Sequence, residues 1–301
     1  MARADVQFRS KGTWCRGWLY PPDSEPSGED GRPPIIVMAH GLGGVKEMRL
    51  DAFAERFSDA GYACLVFDYR HFGASDGTPR QLLSIRRQLD DWAAALDYAR
   101  TLPNVDNRRV VLWGSSLSGG HVMAVGARDR HVSAVIAQCP FTSGISSALT
   151  MNPVTAVKVA GRGIADLAGS VVGRPPVMVD LVGSPRDAAL MTAPDSQPGY
   201  VALVPDDLDF PDAVAARIGL SIPLYRPGRA LREVTCPVLV CVCDYDTVAP
   251  PRPTVSYARQ GPTTQVIRYP EGHFDIYVGE PFERVVADQV DFLDSVVPLD
   301  Q

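Results

Sequence analysis

A chain of 301 residues, 46% hydrophobic and 21% charged, has room for one α/β core with an insertion and too many apolar residues to stay disordered. A formal net charge of −6, with no run of Lys or Arg, argues against a nucleic-acid partner, which would call for a basic patch or stripe. No apolar stretch reaches the roughly 18 to 20 residues that span a bilayer, so no membrane partner is expected.

The opening segment MARADVQFRS lacks the apolar core of a secretory signal. From Val6 to Tyr20 strand-like residues alternate around Lys11-Gly12, which predicts a hairpin, and Pro21 to Pro34 reads as a polar loop rich in Pro, Gly, Ser and Asp. Ile35 to Ala39 is apolar at every position, as expected of a strand covered on both faces of a parallel sheet. Similar runs recur at Ala63 to Phe67, Val110 to Trp113, Val132 to Ala137 and Val238 to Cys243. Between them Leu82, Ile85, Leu89, Trp92, Leu96 and Ala99 form a helical stripe. A last strand near Gln265 to Tyr269 precedes a helix opened by Pro281 and striped by Phe282, Val285, Val286, Val290, Leu293 and Val297. Alternating strands and helices predict a parallel sheet with helices on both faces.

Residues 141–232 break this rhythm. They are rich in Gly, Pro and Ala, with helix-like pieces at Val154 to Val159 and Asp212 to Ile218 and turns at Pro194, Pro198 and Pro211. The expected division is therefore a core of residues 1–140 and 233–301 with a mainly helical cap over 141–232. Cys15, Cys64, Cys139, Cys236, Cys241 and Cys243 lie mostly in apolar runs, and Cys241-x-Cys243 lacks the paired C-x-x-C spacing of a zinc ribbon. Reduced packing cysteines in a cytoplasmic protein are the expectation.

The segment Val110 to His121 runs from a buried strand through Gly114-Ser115-Ser116-Leu117-Ser118-Gly119-Gly120 into a helical pattern. In a nucleophile elbow the residues two before and two after the serine must be small, because strand and helix pass closely there. Gly114 and Ser118 meet that demand around Ser116, with serine standing where G-x-S-x-G has its second glycine. Ser115 would have Trp113 two residues earlier, and Ser118 starts too deep in the helix. A serine nucleophile needs a base, and His273 follows the last strand in the loop Tyr269-Pro270-Glu271-Gly272-His273. The orienting acid should follow the preceding strand. Asp246 is far enough past it to lean toward His273, whereas Asp244 at the strand end is expected to brace the loop. Oxyanion stabilisation requires two backbone N–H groups, for which the candidates are Leu117, after the nucleophile, and Leu42 in His40-Gly41-Leu42-Gly43-Gly44. His40, His71, His121 and His131 form no ligand pair, so structural roles and no metal are expected.

Together HGLGG, DYRHFGASDG, GSSLSGG, DYDTVAP and EGHFDIY resemble the α/β-hydrolase superfamily, over about 34 to 297 but not across the cap. Within it the chain looks like the capped dienelactone-hydrolase-like and Xaa-Pro-peptidase-like esterases. The resemblance implies the α/β-hydrolase fold, with a mostly parallel twisted sheet of about eight strands. It also implies cleavage of a carboxylic ester or lactone through an acyl-enzyme, with no cofactor, and a loop-shaping role for Asp68, Arg70 and Ser75. Serine at the elbow disfavours the aspartate-nucleophile branch of dehalogenases and epoxide hydrolases. The rivals are a thioesterase or acyltransferase using the same residues and a non-catalytic ligand-binding homologue. The expected partner is a small, mostly apolar ester or thioester, and a homodimer is compatible with the pattern. Phe141, Met151, Met178, Leu181, Met191, Tyr200, Phe210 and Tyr225 fit cap core and pocket wall equally well.

Overall fold

Lys11 and Gly12 both take positive φ, 46° and 85°, the combination that turns a two-residue hairpin with the natural twist of its strands. In the computed structural model, which describes residues 3–22 and 31–299, β1 (Ala4–Ser10) accordingly folds back onto β2 (Thr13–Tyr20). The predicted polar loop falls largely on residues 23–30, and the first two residues of the opening segment on 1–2. Both lie outside the described residues.

The core then alternates as expected. In chain order come β3 (Pro34–Ala39), α1 (Leu50–Asp59), β4 (Ala63–Phe67), α2 (Ile85–Ala99), β5 (Asp106–Ser115), α3 (Leu117–Gly126) and β6 (Val132–Gln138). Every residue of β3 and β4 is buried, which is why their sequences carry no polar alternation. Successive residues of β5 point to opposite faces. Trp113 packs on Phe53 of α1 at 5.0 Å, whereas Gly114 faces Ser118 and Val122 of α3. Helices therefore cover both sides of the sheet.

Residues 144–232 contain more than helices. They hold α4 (Gly144–Thr150), α5 (Pro153–Val171), β7 (Met178–Val182), β8 (Ala189–Met191), α6 (Ser196–Val201), β9 (Ala213–Ala215) and α7 (Ile218–Ser221). The three strands form a small sheet in the order β8-β7-β9. The helix-like piece at 212–218 is thus corrected to a strand followed by a short helix, with Val214 buried and paired with Val179. A three-residue apolar run fits either period. The piece at 154–159 belongs to the far longer α5, started by Pro153 and by the Asn152 side chain, which accepts the Val154 N–H at 2.9 Å. This helix buries Thr155, Val159 and Gly163, and it leaves Val157, Ile164, Leu167 and Val171 exposed. Pro198 lies inside α6 rather than at a turn, within the first turn, where no intrahelical N–H is required.

The chain returns to the main sheet through β10 (Val238–Cys243), α8 (Pro251–Ala258), β11 (Thr264–Tyr269) and α9 (Gly279–Val296), the last helix starting two residues before Pro281. Among the described residues eight strands form this sheet, in the order β1-β2-β4-β3-β5-β6-β10-β11, parallel except at β1 and β2. Because β3 lies between β4 and β5, successive connections leave in opposite directions from its carboxyl end. A crevice opens at such a switch point, and here it lies between the loops after β3 and β5. Among the described residues no helix is long and apolar enough to cross a membrane.

Candidate active site

Strand β5 ends in a backbone that few side chains tolerate. Ser116 sits at φ 56° and ψ −120° before α3 begins, strain of the kind that functional turns hold. The turn is compressed, since a Cβ on Gly114 would lie 2.4 Å from the Ser118 carbonyl oxygen. Ser118 itself is accommodated by polarity. The Tyr69 hydroxyl accepts from Trp92 Nε1 at 2.8 Å and shares a hydrogen bond with Ser118 Oγ at 2.8 Å, so a buried hydroxyl replaces a glycine without an unpaired group.

Ser116, His273 and Asp246, taken from three loops at the carboxyl edge of the sheet, come together. Ser116 Oγ lies 3.0 Å from His273 Nε2, and His273 Nδ1 lies 2.6 Å from Asp246 Oδ2. Asp246 Oδ1 accepts the N–H groups of Val248 and Ala249 at 2.8 and 2.6 Å. With the Nδ1 proton directed at Asp246, Nε2 is left to accept from the Ser116 hydroxyl. The other serines are engaged elsewhere, Ser118 with Tyr69 and Ser115 Oγ with the Tyr277 hydroxyl. Asp244 pairs with Arg268 at 2.7 Å and braces the two strand ends. Burial works against a charged His273, but the adjacent Asp246 carboxylate and its hydrogen bond outweigh it and hold the imidazole well above its ordinary 6.5.

The loop after β3 lies against this group. A Cβ on Gly41 would be 2.8 Å from Ser116 Cβ, so only glycine lets the backbone come so near. Leu42 and Leu117 both border a cavity of about 800 Å³ with Ser116 at its edge. The rest of the wall comes mainly from residues 141–232, including Phe141, Met151, Val159, Leu190, Met191 and Leu220. Among the described residues no charged side chain lines it.

Of the eight residues that sequence left between pocket wall and cap core, Phe141, Met151 and Met191 line the cavity. Leu181 packs on Gly43, Tyr225 binds His121, Phe210 packs on Tyr200, and Met178 is exposed. Of the other histidines, His40, His71 and His121 are held structurally, whereas His131 is exposed beside Asp129. Burial lowers His40 to about 4 and His121 to about 3. His121 is fixed between Tyr225 and Gln88, and His71 contacts the Pro79 carbonyl. Asp68 accepts from the Lys46 amine and the Ala74 N–H, Arg70 pairs with Asp91, and Ser75 donates to the Asp68 carbonyl, so these three shape the loop beside the site. Tyr200, the last of the eight, contacts the Leu42 carbonyl, and Asp195, which the sequence did not single out, accepts from Thr247 beside Asp246; Tyr277, at the end of the EGHFDIY motif, meets Ser115. Among the described residues no cluster of three or more His, Cys, Asp or Glu side chains is placed to hold a metal ion.

The model of a family described as the alpha/beta hydrolase family matches residues 36–288. The chain belongs to the alpha/beta hydrolase family. It is 53% identical to the quorum-quenching protein AidA of Acinetobacter baumannii (strain MDR-ZJ06) over 298 residues, covering 99% of this chain and 96% of that one. It is also 27% identical to a thiohydrolase of Eupenicillium brefeldianum, over 97% of this chain and 94% of the other. The crystal structure of the alpha/beta hydrolase GrgF from Penicillium sp. sh18 superposes with a TM-score of 0.82 at 24% identity, covering 98% and 99% of the two chains, and this hydrolase shares the fold.

Proposed function

We propose that this alpha/beta hydrolase is a serine hydrolase that cleaves a carboxylic ester or lactone bearing a mostly apolar acyl group. The observation that carries the reading is the chain of contacts from Asp246 through His273 to Ser116, 2.6 and 3.0 Å long, at the edge of an uncharged cavity. In this mechanism Ser116 Oγ attacks the acyl carbon while His273 Nε2 takes its proton, and the N–H groups of Leu42 and Leu117 stabilise the oxyanion. The imidazolium then protonates the departing alkoxide, or the ring oxygen of a lactone, as the C–O bond breaks. Water, deprotonated by His273, attacks the ester to Ser116 and frees the acid. Residues 141–232 act as the cap that supplies most of the acyl pocket.

The name of the bacterial relative, a quorum-quenching protein, favours a small signalling ester or lactone. A thioesterase or acyltransferase is the second reading, favoured by relatives named thiohydrolase and polyketide transferase. Matched oxygen esters, lactones and thioesters of graded acyl length separate these chemistries. Each buried methylene contributes about 0.8 kcal/mol, so kcat/KM is expected to rise about fourfold per methylene until the cavity is filled. No dependence on length would remove the cavity from the proposal. Thiol release that outpaces alcohol or lactone turnover at every length would favour the second reading.

The pH profile tests the relay separately. The base must be neutral to accept a proton, and the folded protein holds His273 above 6.5. The activity limb is therefore expected above that value, with kcat/KM lost as pH falls through it. Asp246→Asn removes the largest of the influences that raise His273 and keeps its burial, so the limb should move to lower pH while kcat drops by about 10³- to 10⁴-fold. A limb that stays in place in the variant would show that Asp246 does not govern the base.

A further inference from the structure

The short helix α6 and the residue before it touch three loops around the candidate site, the one after β3 and those that carry His273 and Asp246. Tyr200 donates its hydroxyl proton to the Leu42 carbonyl at 2.9 Å. Gly199 lies flat on Phe274, next to His273, where a Cβ would meet the ring at 2.6 Å. Asp195, immediately before the helix, accepts from Thr247 Oγ1 at 2.7 Å, one residue beyond Asp246. Tyr200 is 5% exposed, and its ring is held edge-on by Phe274 with centroids 6.2 Å apart.

The loop that Tyr200 reaches needs such a restraint. Leu42 lies between Gly41 and Gly43, and Gly43 takes φ 67°. Glycines permit the close approach to Ser116 but leave the flanking peptides free to rotate. Packing of Gly43 on Leu181 restricts space without fixing where the peptide dipole points. A directional hydrogen bond to the Leu42 carbonyl fixes the Leu42–Gly43 peptide, and with it the position of Leu42 Cα, to which the nitrogen of the preceding peptide, the one that carries the Leu42 N–H, is bonded.

We propose that the Tyr200 hydroxyl is a positioning group that holds the Leu42 amide in place for the oxyanion. The inference rests on the reading of Ser116 as nucleophile. Tyr200 does not touch the reacting atoms, and its effect appears where negative charge develops on the acyl oxygen. Losing an oxyanion donor outright costs about 10²- to 10³-fold in kcat, and loosening one should cost less.

The test compares the wild type with Tyr200→Phe, which keeps the ring and its packing and removes only the hydroxyl. The expected result is a kcat lower by about tenfold with KM within about twofold, and inhibition by an alkyl boronic acid weaker by about the same tenfold, because the tetrahedral boronate uses the oxyanion site. A thermal midpoint close to wild type is expected alongside. Equal kcat in the two proteins overturns the proposal. So does a loss confined to KM and thermal stability with boronate affinity unchanged, the pattern of a merely structural bond. Stoichiometric labelling of wild-type Ser116 by a fluorophosphonate is run in parallel. If labelling fails, the nucleophile reading falls and this inference with it, whereas intact labelling with unchanged Tyr200→Phe kinetics removes the positioning role alone.

Discussion

Ser116→Ala is expected to lower kcat by at least about 10³-fold while leaving the protein folded, since removing a nucleophile of this kind leaves only the catalysis that binding and oxyanion stabilisation provide. The substitution deletes one oxygen and keeps the β-carbon, so the packing of the turn is unchanged. Neither flanking serine of the elbow stands ready to replace it. Ser115 is committed to Tyr277 and Ser118 to Tyr69, and His273 Nε2 bonds Ser116. His273→Ala should cost a comparable factor, and the double variant little more than either alone, because groups that act as one unit lose their effect together. Turnover of an activated ester by the three proteins measures this. A Ser116→Ala protein within tenfold of wild type would place the chemistry elsewhere.

Gly114→Ala is expected to destabilise the protein by about 3 kcal/mol or more, at or beyond the upper end of overpacking costs. The added carbon would lie 2.4 and 2.6 Å from the carbonyl oxygen and carbon of Ser118 and 2.9 Å from Val122 Cγ1. Two of these are backbone atoms of α3, so the helix must lift from the strand. The elbow resists that shift, because the Ser116 N–H donates to the Gln138 carbonyl at 2.9 Å and the Ser116 carbonyl accepts from Phe141 at 2.8 Å. Activity should fall together with stability as Ser116 is displaced. Gly161→Ala is the internal control, since its Cβ would meet nothing within 4 Å inside the exposed part of α5. There the expected change is a gain of about 0.5 to 1 kcal/mol from helix propensity. Urea midpoints of the two variants give the comparison, and a Gly114→Ala protein as stable as wild type would contradict the close passage of strand and helix.

Legibility in the sequence followed how tightly local sterics constrain each position. The elbow was readable because Gly114, Ser116 and Ser118 each answer a demand of the turn itself. Asp246 and His273 were readable because they follow buried runs whose uniform apolarity marks parallel strands. The choice of Asp246 over Asp244 agrees with the contacts, Asp246 meeting His273 and Asp244 meeting Arg268. The small sheet was not readable. β8 and β9 are three residues each, too short to display a period. Tyr200 was read only as cap core or pocket wall, and its contact with the Leu42 loop was hidden for another reason. Pro198-Gly199 imitates a turn, whereas the proline sits in the first turn of a helix and the glycine makes room for Phe274. The contacts that give these residues meaning are about 70 to 160 positions away, and no local pattern encodes them.

Helix α5 has a consequence for how this chain can change over time. Its inner face supplies Ala156, Val159 and Ala160 to the cavity, and Val157, Ile164 and Leu167 of the same helix face outward. Where α5 forms it, the wall of the cavity is thus a single helix thick, on a different element from the loops that carry Ser116, Asp246 and His273. Exchanging small for large side chains on that inner face resizes the chamber while the proton relay keeps its geometry. On the proposed function, this part of the substrate range and the chemical power are therefore inherited on different parts of the chain, and selection can retune one while holding the other constant.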